Sequence, residues 1–433
     1  MSAASVDTAP IDAASLWPEL DRTCAYINAA SRTPLPACVL AAGEAAVRRK
    51  AATPWDIGDT EAQKEEVRTL FGELLGGGVS SRDVAVLPSC SFAMSVAAHN
   101  LRGAMRARPA GRRRVLVLED QNPSNVMQWQ ALCDDEGGEL LALPRPADGD
   151  WASALVAQVD SGSVAVAALP PCHWCDGAVV DLAVVGAACS ARGVPLVVDA
   201  TQWLGAAAPL EPARIGACFV ACSVHKWLLG PYGACLCYAE PSFWRALAGG
   251  TACSRLLLHV RTLFSSRRGA RPLDHHDRNR EGAQHVECLP MGPRGYPTAF
   301  QPGARRLEGG GRPSYIVMPM LVAALRLVAQ QLTTRRIAAR LGEMTSLVAA
   351  QAAALGFEVP PRHAPGIVGL RTGAGMPPAA ELVRRLAALK PRPVLVSERL
   401  GVIRVSPHLY NTPDDLRCLL DGLREAVRPA SRL

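Results

Sequence analysis

PLVVDATQWLG (195–205) and, shortly after it, CFVACSVHKWLLGPYG (218–233) are the stretches that decide how this chain is read. Each opens with a short, wholly apolar run and breaks at its end into polar and glycine-containing residues. Such runs fit strands buried on both faces of a parallel sheet, and the carboxyl ends of those strands carry the ligand-binding loops of open α/β folds. Asp199 closes the first run, with Gln202 three residues on, while Ser223, His225 and Lys226 close the second.

The same rhythm extends in both directions. Apolar runs at 115–118, 140–143, 164–169 and 234–238 are bounded by turn residues, and helical patterns at 92–100 and 182–192 lie between runs. Earlier helices are predicted at 37–51 and 61–75, the second closed by Gly76, Gly77 and Gly78. Alternating strands and helices predict a mostly parallel sheet covered on both faces. Residues 267–295 break the pattern: rich in Arg, Gly and Pro and without periodicity, they read as a long flexible insertion. Beyond it, helices at 316–332, 335–355, 379–389 and 413–427 alternate with apolar runs at 366–370 and 401–405. The expected division is an N-terminal segment 1–36 contributing to the small domain and the site, a large α/β domain 37–314, and a smaller α+β domain 315–433.

Composition removes other classes. A chain of 433 residues, 49% hydrophobic and 20% charged, has ample apolar content for large cores and is no disordered protein. No run approaches ~18 uninterrupted apolar residues, so no membrane span is expected. The opening MSAASVDTAPIDAASLWPEL carries Asp7 and Asp12 and lacks the basic and apolar regions of a secretory signal. The 14 cysteines fall mostly in apolar segments, as reduced small hydrophobes do, which predicts a reducing, cytoplasmic setting. The net charge of +7 is spread along the chain without interleaved aromatic platforms, so no nucleic-acid partner is expected.

Of the 46 basic residues only Lys50, Lys64, Lys226 and Lys390 are lysines. Where nearly every basic position has become arginine, a lysine at a strand end marks chemistry that arginine cannot do. A neutral amine adds to an aldehyde to form a Schiff base, and burial favours the neutral form. A carboxylate at the Asp199 position could pair with a pyridinium nitrogen and make the ring an electron sink. Upstream, VLPSCSFAMSVAAHNL (86–101) places Cys90 and Ser91 at the start of an apolar helix, where free N–H groups suit a phosphate. Plain N-capping by Ser89 or Ser91 is the competing reading.

Taken in order, VVDATQ, SVHKWLLGPYG, ARRLEGGGRPSY (304–315) and IRVSPHLYNT (403–412) resemble the class V aminotransferase family of pyridoxal-phosphate enzymes, which includes cysteine desulfurase- and isopenicillin N epimerase-like proteins. The resemblance begins at YINAASRTPLP (26–36) and covers nearly the whole chain. It implies a fold-type-I enzyme, pyridoxal 5'-phosphate as cofactor, and chemistry at the amino group or Cα of a small amino acid. Transamination or β-elimination is expected first. Epimerisation and a degenerate, non-catalytic binding protein are the alternatives. Lys226 matches the lysine that holds the cofactor and shuttles protons, Asp199 the partner of the pyridine nitrogen, and Gln202 the contact to the phenolic oxygen. Ser223 and His225, with Cys90 and Ser91, match the phosphate contacts. Arg404 matches the arginine that grips the substrate carboxylate, and Asn28 a residue near the substrate. The glycine-rich 309–312 falls where relatives reach into the partner subunit, which implies a homodimer with shared active sites.

Three features qualify this pattern. In LEDQNPSNVMQW (118–129), Asn122 stands where relatives carry a ring over the cofactor. Between Gly366 and Arg404 there is no cysteine, which disfavours a persulfide-forming desulfurase. In ALPPCHWCDG (168–177), the CxxC spacing reads as pocket lining by His173 or Trp174 rather than a redox pair. Asp274, His275, His276, Asp277, His285 and Cys288 lack standard ligand spacing, so no metal is expected.

Overall fold

The computed structural model describes residues 12–244, 300–308 and 313–427. The expected insertion at 267–295, the acidic and histidine cluster within it, and the glycine-rich 309–312 lie outside them.

A seven-stranded sheet forms the centre. Its strands are β2 (Val84–Leu87), β3 (Arg114–Leu118), β4 (Glu139–Leu143), β5 (Val164–Leu169), β6 (Leu196–Asp199), β7 (Ala217–Ser223) and β8 (Cys235–Ala239), in the order β2-β8-β7-β6-β5-β3-β4. All run parallel except β8, which is antiparallel to both β2 and β7. Every residue of β5, β6, β7 and β8 is buried, which is why these runs read as continuous apolar stretches. Successive side chains feed two separate cores. Leu196 and Val198 of β6, like Val220 and Cys222 of β7, face one; Val197, Phe219 and Ala221 face the other.

From β3 the chain moves outward to β4 at the edge, then returns to place β5 beside β3. The connections therefore leave in opposite directions between β3 and β5, the arrangement that opens a crevice at the carboxyl ends of an α/β sheet. The loops after β3 and β5 border it.

The C-terminal part holds an antiparallel sheet of β9 (Val368–Arg371), β11 (Ser397–Arg399) and β12 (Val402–Val405), in the order β11-β12-β9. The N-terminal segment contributes strand β1 (Ala25–Tyr26), paired in parallel with β10 (Val394–Leu395), and a bridge from Asn28 to Ser406. Two-residue strands leave no periodicity to detect. The helix expected at 316–332 changes character: an α-helix, Val317–Arg326, passes into a π-helical segment, Leu327–Leu332, before Thr333. The helix Pro413–Ala426 begins as its sequence indicates, with proline in the first turn and a capping box between Thr412 and Asp415. No single helix among the described residues is long and apolar enough to cross a membrane.

Candidate active site

Two adjoining cavities lie over the carboxyl ends of the strands. The smaller, about 230 Å³, is lined by the helix start Ser89–Ser91, the loops after β3 and β5, and Asp199, Thr201, Gln202, Ser223, His225 and Lys226. The larger, about 700 Å³, is lined from the other side by Asn28 and Ser31, the β11–β12 hairpin and Arg404. Lys226, Asn122 and Trp174 line both. The lysine thus stands where the two spaces meet.

Local hydrogen bonds hold the floor of the smaller cavity. Asp199 Oδ1 accepts from the Thr201 N–H at 3.0 Å, and Thr201 Oγ1 accepts from the Ser223 N–H at 3.1 Å. The Thr201 hydroxyl also donates to Cys90 Sγ at 3.7 Å. One threonine therefore ties the ends of β6 and β7 to the start of the Cys90–Asn100 helix. Sequence reasoning passed over it, although its place between Asp199 and Gln202 was a signal. The loop carrying Asp199 docks on the lysine loop through Gly205. Its φ of +93° suits glycine, and a Cβ there would lie 2.4 Å from the Trp227 carbonyl oxygen.

At the helix start the plain cap is present. Ser89 Oγ accepts from the Phe92 N–H at 3.1 Å, the plain cap. That leaves the N–H groups of Cys90 and Ser91, in the first turn, without intrahelical acceptors and pointing out of the helix end. His225 stacks on Tyr232 with centroids 4.2 Å apart. Burial and the neighbouring Lys226 push its pKa down to about 4, so the ring is neutral near pH 7. Burial also lowers the Lys226 pKa, partly opposed by Asp199. This favours the neutral amine that nucleophilic attack requires.

Gln202 was expected to contact the phenolic oxygen of a cofactor. It lines the smaller cavity, but Nε2 donates to the Ala30 carbonyl at 3.1 Å and Oε1 accepts from Trp227 Nε1 at 2.9 Å. Gln121, unremarked in the sequence, lines the same cavity with a buried Nε2 that has no partner among the described residues. Asn122 Oδ1 caps the short helical turn after it, accepting from Ser124 N–H and Oγ–H at 3.1 and 2.6 Å.

His173 requires a correction. It lines neither cavity. Its ring is buried against Trp151, 6.0 Å between centroids and nearly parallel, with Nε2 at 3.1 Å from the Glu119 carbonyl oxygen. Trp174 faces the cavities instead, its Nε1 donating to the Asp120 carbonyl at 2.7 Å. The neighbouring thiols Cys172 and Cys175 are both buried and both pushed well up by that burial, the opposite of a reactive redox pair.

Arg404 is almost fully buried on β12, with Nη1 donating to the Trp174 carbonyl at 3.0 Å and Nη2 to Ser31 Oγ at 2.6 Å. Its Nε has no partner, and no carboxylate pairs with it among the described residues. Burial, then the Arg399 guanidinium, push its pKa down to about 10. Gly369, opposite Arg404 in the register, makes the approach possible: a Cβ there would fall 2.2 Å from Asp176 Cβ. Asn28 lines the same cavity with its buried Oδ1 unpartnered among the described residues.

His408, four residues on, lies fully buried between Trp17, Trp227 and Tyr410, with neither ring nitrogen partnered among the described residues. Burial pushes its pKa from 6.5 down to about 3. As pH falls below 6.5 the unfolded chain takes up a proton that the folded chain refuses, so stability is lost from there until the folded ring also titrates. His408→Phe keeps the stack and removes this uptake. Between pH 7 and pH 5 the parent should lose about 2 kcal/mol more than the variant in urea unfolding. Equal pH slopes would disprove the shift.

Comparison with known proteins agrees with this geometry. The family model for aminotransferase class-V matches residues 25–266. An uncharacterized aminotransferase, YcbU, of Bacillus subtilis (strain 168) is 24% identical over 362 residues, covering 83% of this chain and 82% of that protein. Among solved structures, the cystine C-S lyase C-DES in complex with its product cysteine persulfide aligns with a TM-score of 0.75 at 18% identity, over 95% of this chain and all of that one. The cysteine desulfurase CsdA from Escherichia coli aligns with a TM-score of 0.73 at 18% identity, over 96% and 98%. These structural likenesses establish the fold.

Proposed function

This chain belongs to the class V aminotransferase family, and we propose that it uses pyridoxal phosphate to transaminate, or to β-eliminate from, an α-amino acid held by Arg404. The observation that carries the reading is Lys226 at the junction of two cavities, one furnished for the cofactor and the other for a carboxylate.

The donor set fits the cofactor. Free N–H groups at the start of the Cys90–Asn100 helix, with Ser91, Ser223 and His225 beside them, suit a phosphate. Asp199, with one oxygen engaged by Thr201, keeps the other for a protonated ring nitrogen. The orphaned Gln121 Nε2 offers a further donor. When bound, pyridoxal phosphate would supply an aldehyde for an amine and a ring that draws electrons from the substrate Cα.

The rest falls to the protein. Lys226 Nζ, whose pKa burial lowers toward the neutral form, would hold the cofactor and then carry the proton at Cα. Asp199 keeps the ring nitrogen protonated. Arg404 binds and orients the substrate carboxylate, and its buried, carboxylate-free guanidinium is primed for one. Trp174, over which the Arg404 guanidinium lies at 5.8 Å, walls both cavities. The complete set of Lys226, Asp199, Ser223 and His225 in one place weighs against a non-catalytic member. A homodimer with shared sites and a cytoplasmic location belong to the same reading, the first tested by sedimentation.

Two measurements test it. An amino-acid panel on the protein reconstituted with pyridoxal phosphate, with a keto acid present as amino acceptor, should yield the corresponding keto acid; ammonia release without the acceptor distinguishes elimination from transamination. Asp199→Asn should retain the fold and the attached cofactor yet lower turnover about a hundredfold, because the ring nitrogen loses its charged partner. Turnover within a few-fold of the parent would point to chemistry that does not need the electron sink.

A further inference from the structure

The larger cavity holds more positive charge than one carboxylate requires. Apart from Lys226, its charged lining is Arg32, Arg399, Arg404 and Glu398. The β11–β12 hairpin explains the geometry. Ser397 lies directly across from Arg404, and Arg399 two residues on shares their face, because side chains alternate along a strand and cross-strand partners point the same way. Glu398 alternates to the opposite face. There its carboxylate accepts from the Gly401 N–H at 2.6 Å, closing the turn, and pairs with neither arginine.

Arg399 and Arg404 converge on one atom. Arg399 Nη2 lies 3.2 Å and Arg404 Nη2 2.6 Å from Ser31 Oγ, so the two cations stand no more than about 6 Å apart. Each also donates to a neutral backbone carbonyl, of Glu398 and Trp174 respectively. Two guanidiniums gathered on a hydroxyl, with no carboxylate between them among the described residues, are a cost to the fold that an anion from outside relieves. Three buried atoms without a partner among the described residues belong to residues lining the same space: Arg404 Nε, Ser397 Oγ and Asn28 Oδ1. The first two are donors beside the arginines.

We infer that the substrate is an α-amino acid carrying a second acidic group on its side chain, of aspartate or glutamate size, with Arg404 taking the α-carboxylate and Arg399 the distal one. The inference rests on the reading of Arg404 given above and adds the substrate class. Arg404 and Arg399 are two cationic groups on one face of the cavity, and an amino acid with two carboxylates offers an anionic group to each. Arg32, exposed at the cavity edge, adds to the field that draws such an anion in. Arg399 then sets specificity. A neutral amino acid would leave it facing empty polar space.

The test uses the protein loaded with pyridoxal phosphate and measures binding as well as turnover. By calorimetry, succinate should bind at least tenfold more tightly than butyrate, two inert probes differing in the second carboxylate. In the panel, aspartate, glutamate or cysteine sulfinate should exceed alanine, serine and cysteine in kcat/KM by at least tenfold. Arg399→Gln should collapse the succinate-to-butyrate ratio by at least tenfold and raise KM for the acidic substrate more than it lowers kcat. Should that variant fold poorly, the ratio in the unaltered protein decides alone. Neutral amino acids processed as well as acidic ones, with succinate no better than butyrate, would overturn the inference and leave the amino-acid reading standing. If no amino acid reacts and neither probe binds, both readings fall together.

Discussion

Lys226→Arg folds as the parent does and loses its covalent hold on pyridoxal phosphate. The guanidinium stays protonated under any folding condition and has no free electron pair for the aldehyde, whereas the buried lysine is already biased toward its neutral form. Arginine fits the place physically, since the side chain borders two cavities rather than a packed core. The visible band of the reconstituted parent, which borohydride removes while fixing the cofactor to the peptide containing residue 226, should be missing from the variant. Turnover should fall by at least about a thousandfold, because nucleophile and proton carrier are lost together. A variant that retained a reducible adduct at full occupancy would show that another amine does the work.

Arg404→Ala has the second largest expected effect and a different signature. The visible band should remain, since none of the groups around the smaller cavity is touched, while kcat/KM for every amino acid falls. Truncating one partner of a buried charge contact costs about 2–5 kcal/mol, or roughly thirtyfold to several thousandfold. An exposed salt bridge would cost about 0–1 kcal/mol, so the size of the loss decides between the roles. Arg404→Lys should recover only part, because an ammonium cannot reach the Trp174 carbonyl, Ser31 Oγ and a carboxylate in one plane. Normal processing of an amino acid by the alanine variant would remove the carboxylate role. The effect differs from that of Arg399→Gln, which should discriminate between acidic and neutral ligands rather than abolish both.

Much of the proposed cofactor side is legible in the sequence. Asp199 and Lys226 were found because β6 and β7 are buried on both faces, so their ends show as abrupt changes from apolar to polar. The scarcity of lysine singled out one of them. The substrate side was harder to read. Arg399 looked like any of the many arginines, and Ser31 like loop filler, because nothing local distinguishes a residue whose partner lies 368 or 373 positions away. His173 and Trp174 could not be separated in the sequence, since a loop has no fixed period to say which of two neighbours faces inward.

The sequence by itself determined the α/β class, most strand and helix positions, and the lysine–aspartate pair, because burial periodicity and turn chemistry are short-range properties of the chain. Only the tertiary structure decided that β8 runs against its neighbours, that β1 joins β10, and that Thr201 ties three elements together. It also decided that Trp174, not His173, walls the site, and that two arginines share one serine. Each of these depends on strand register and on close approaches such as Gly369 against Asp176, where the absence of a single Cβ lets two distant segments touch.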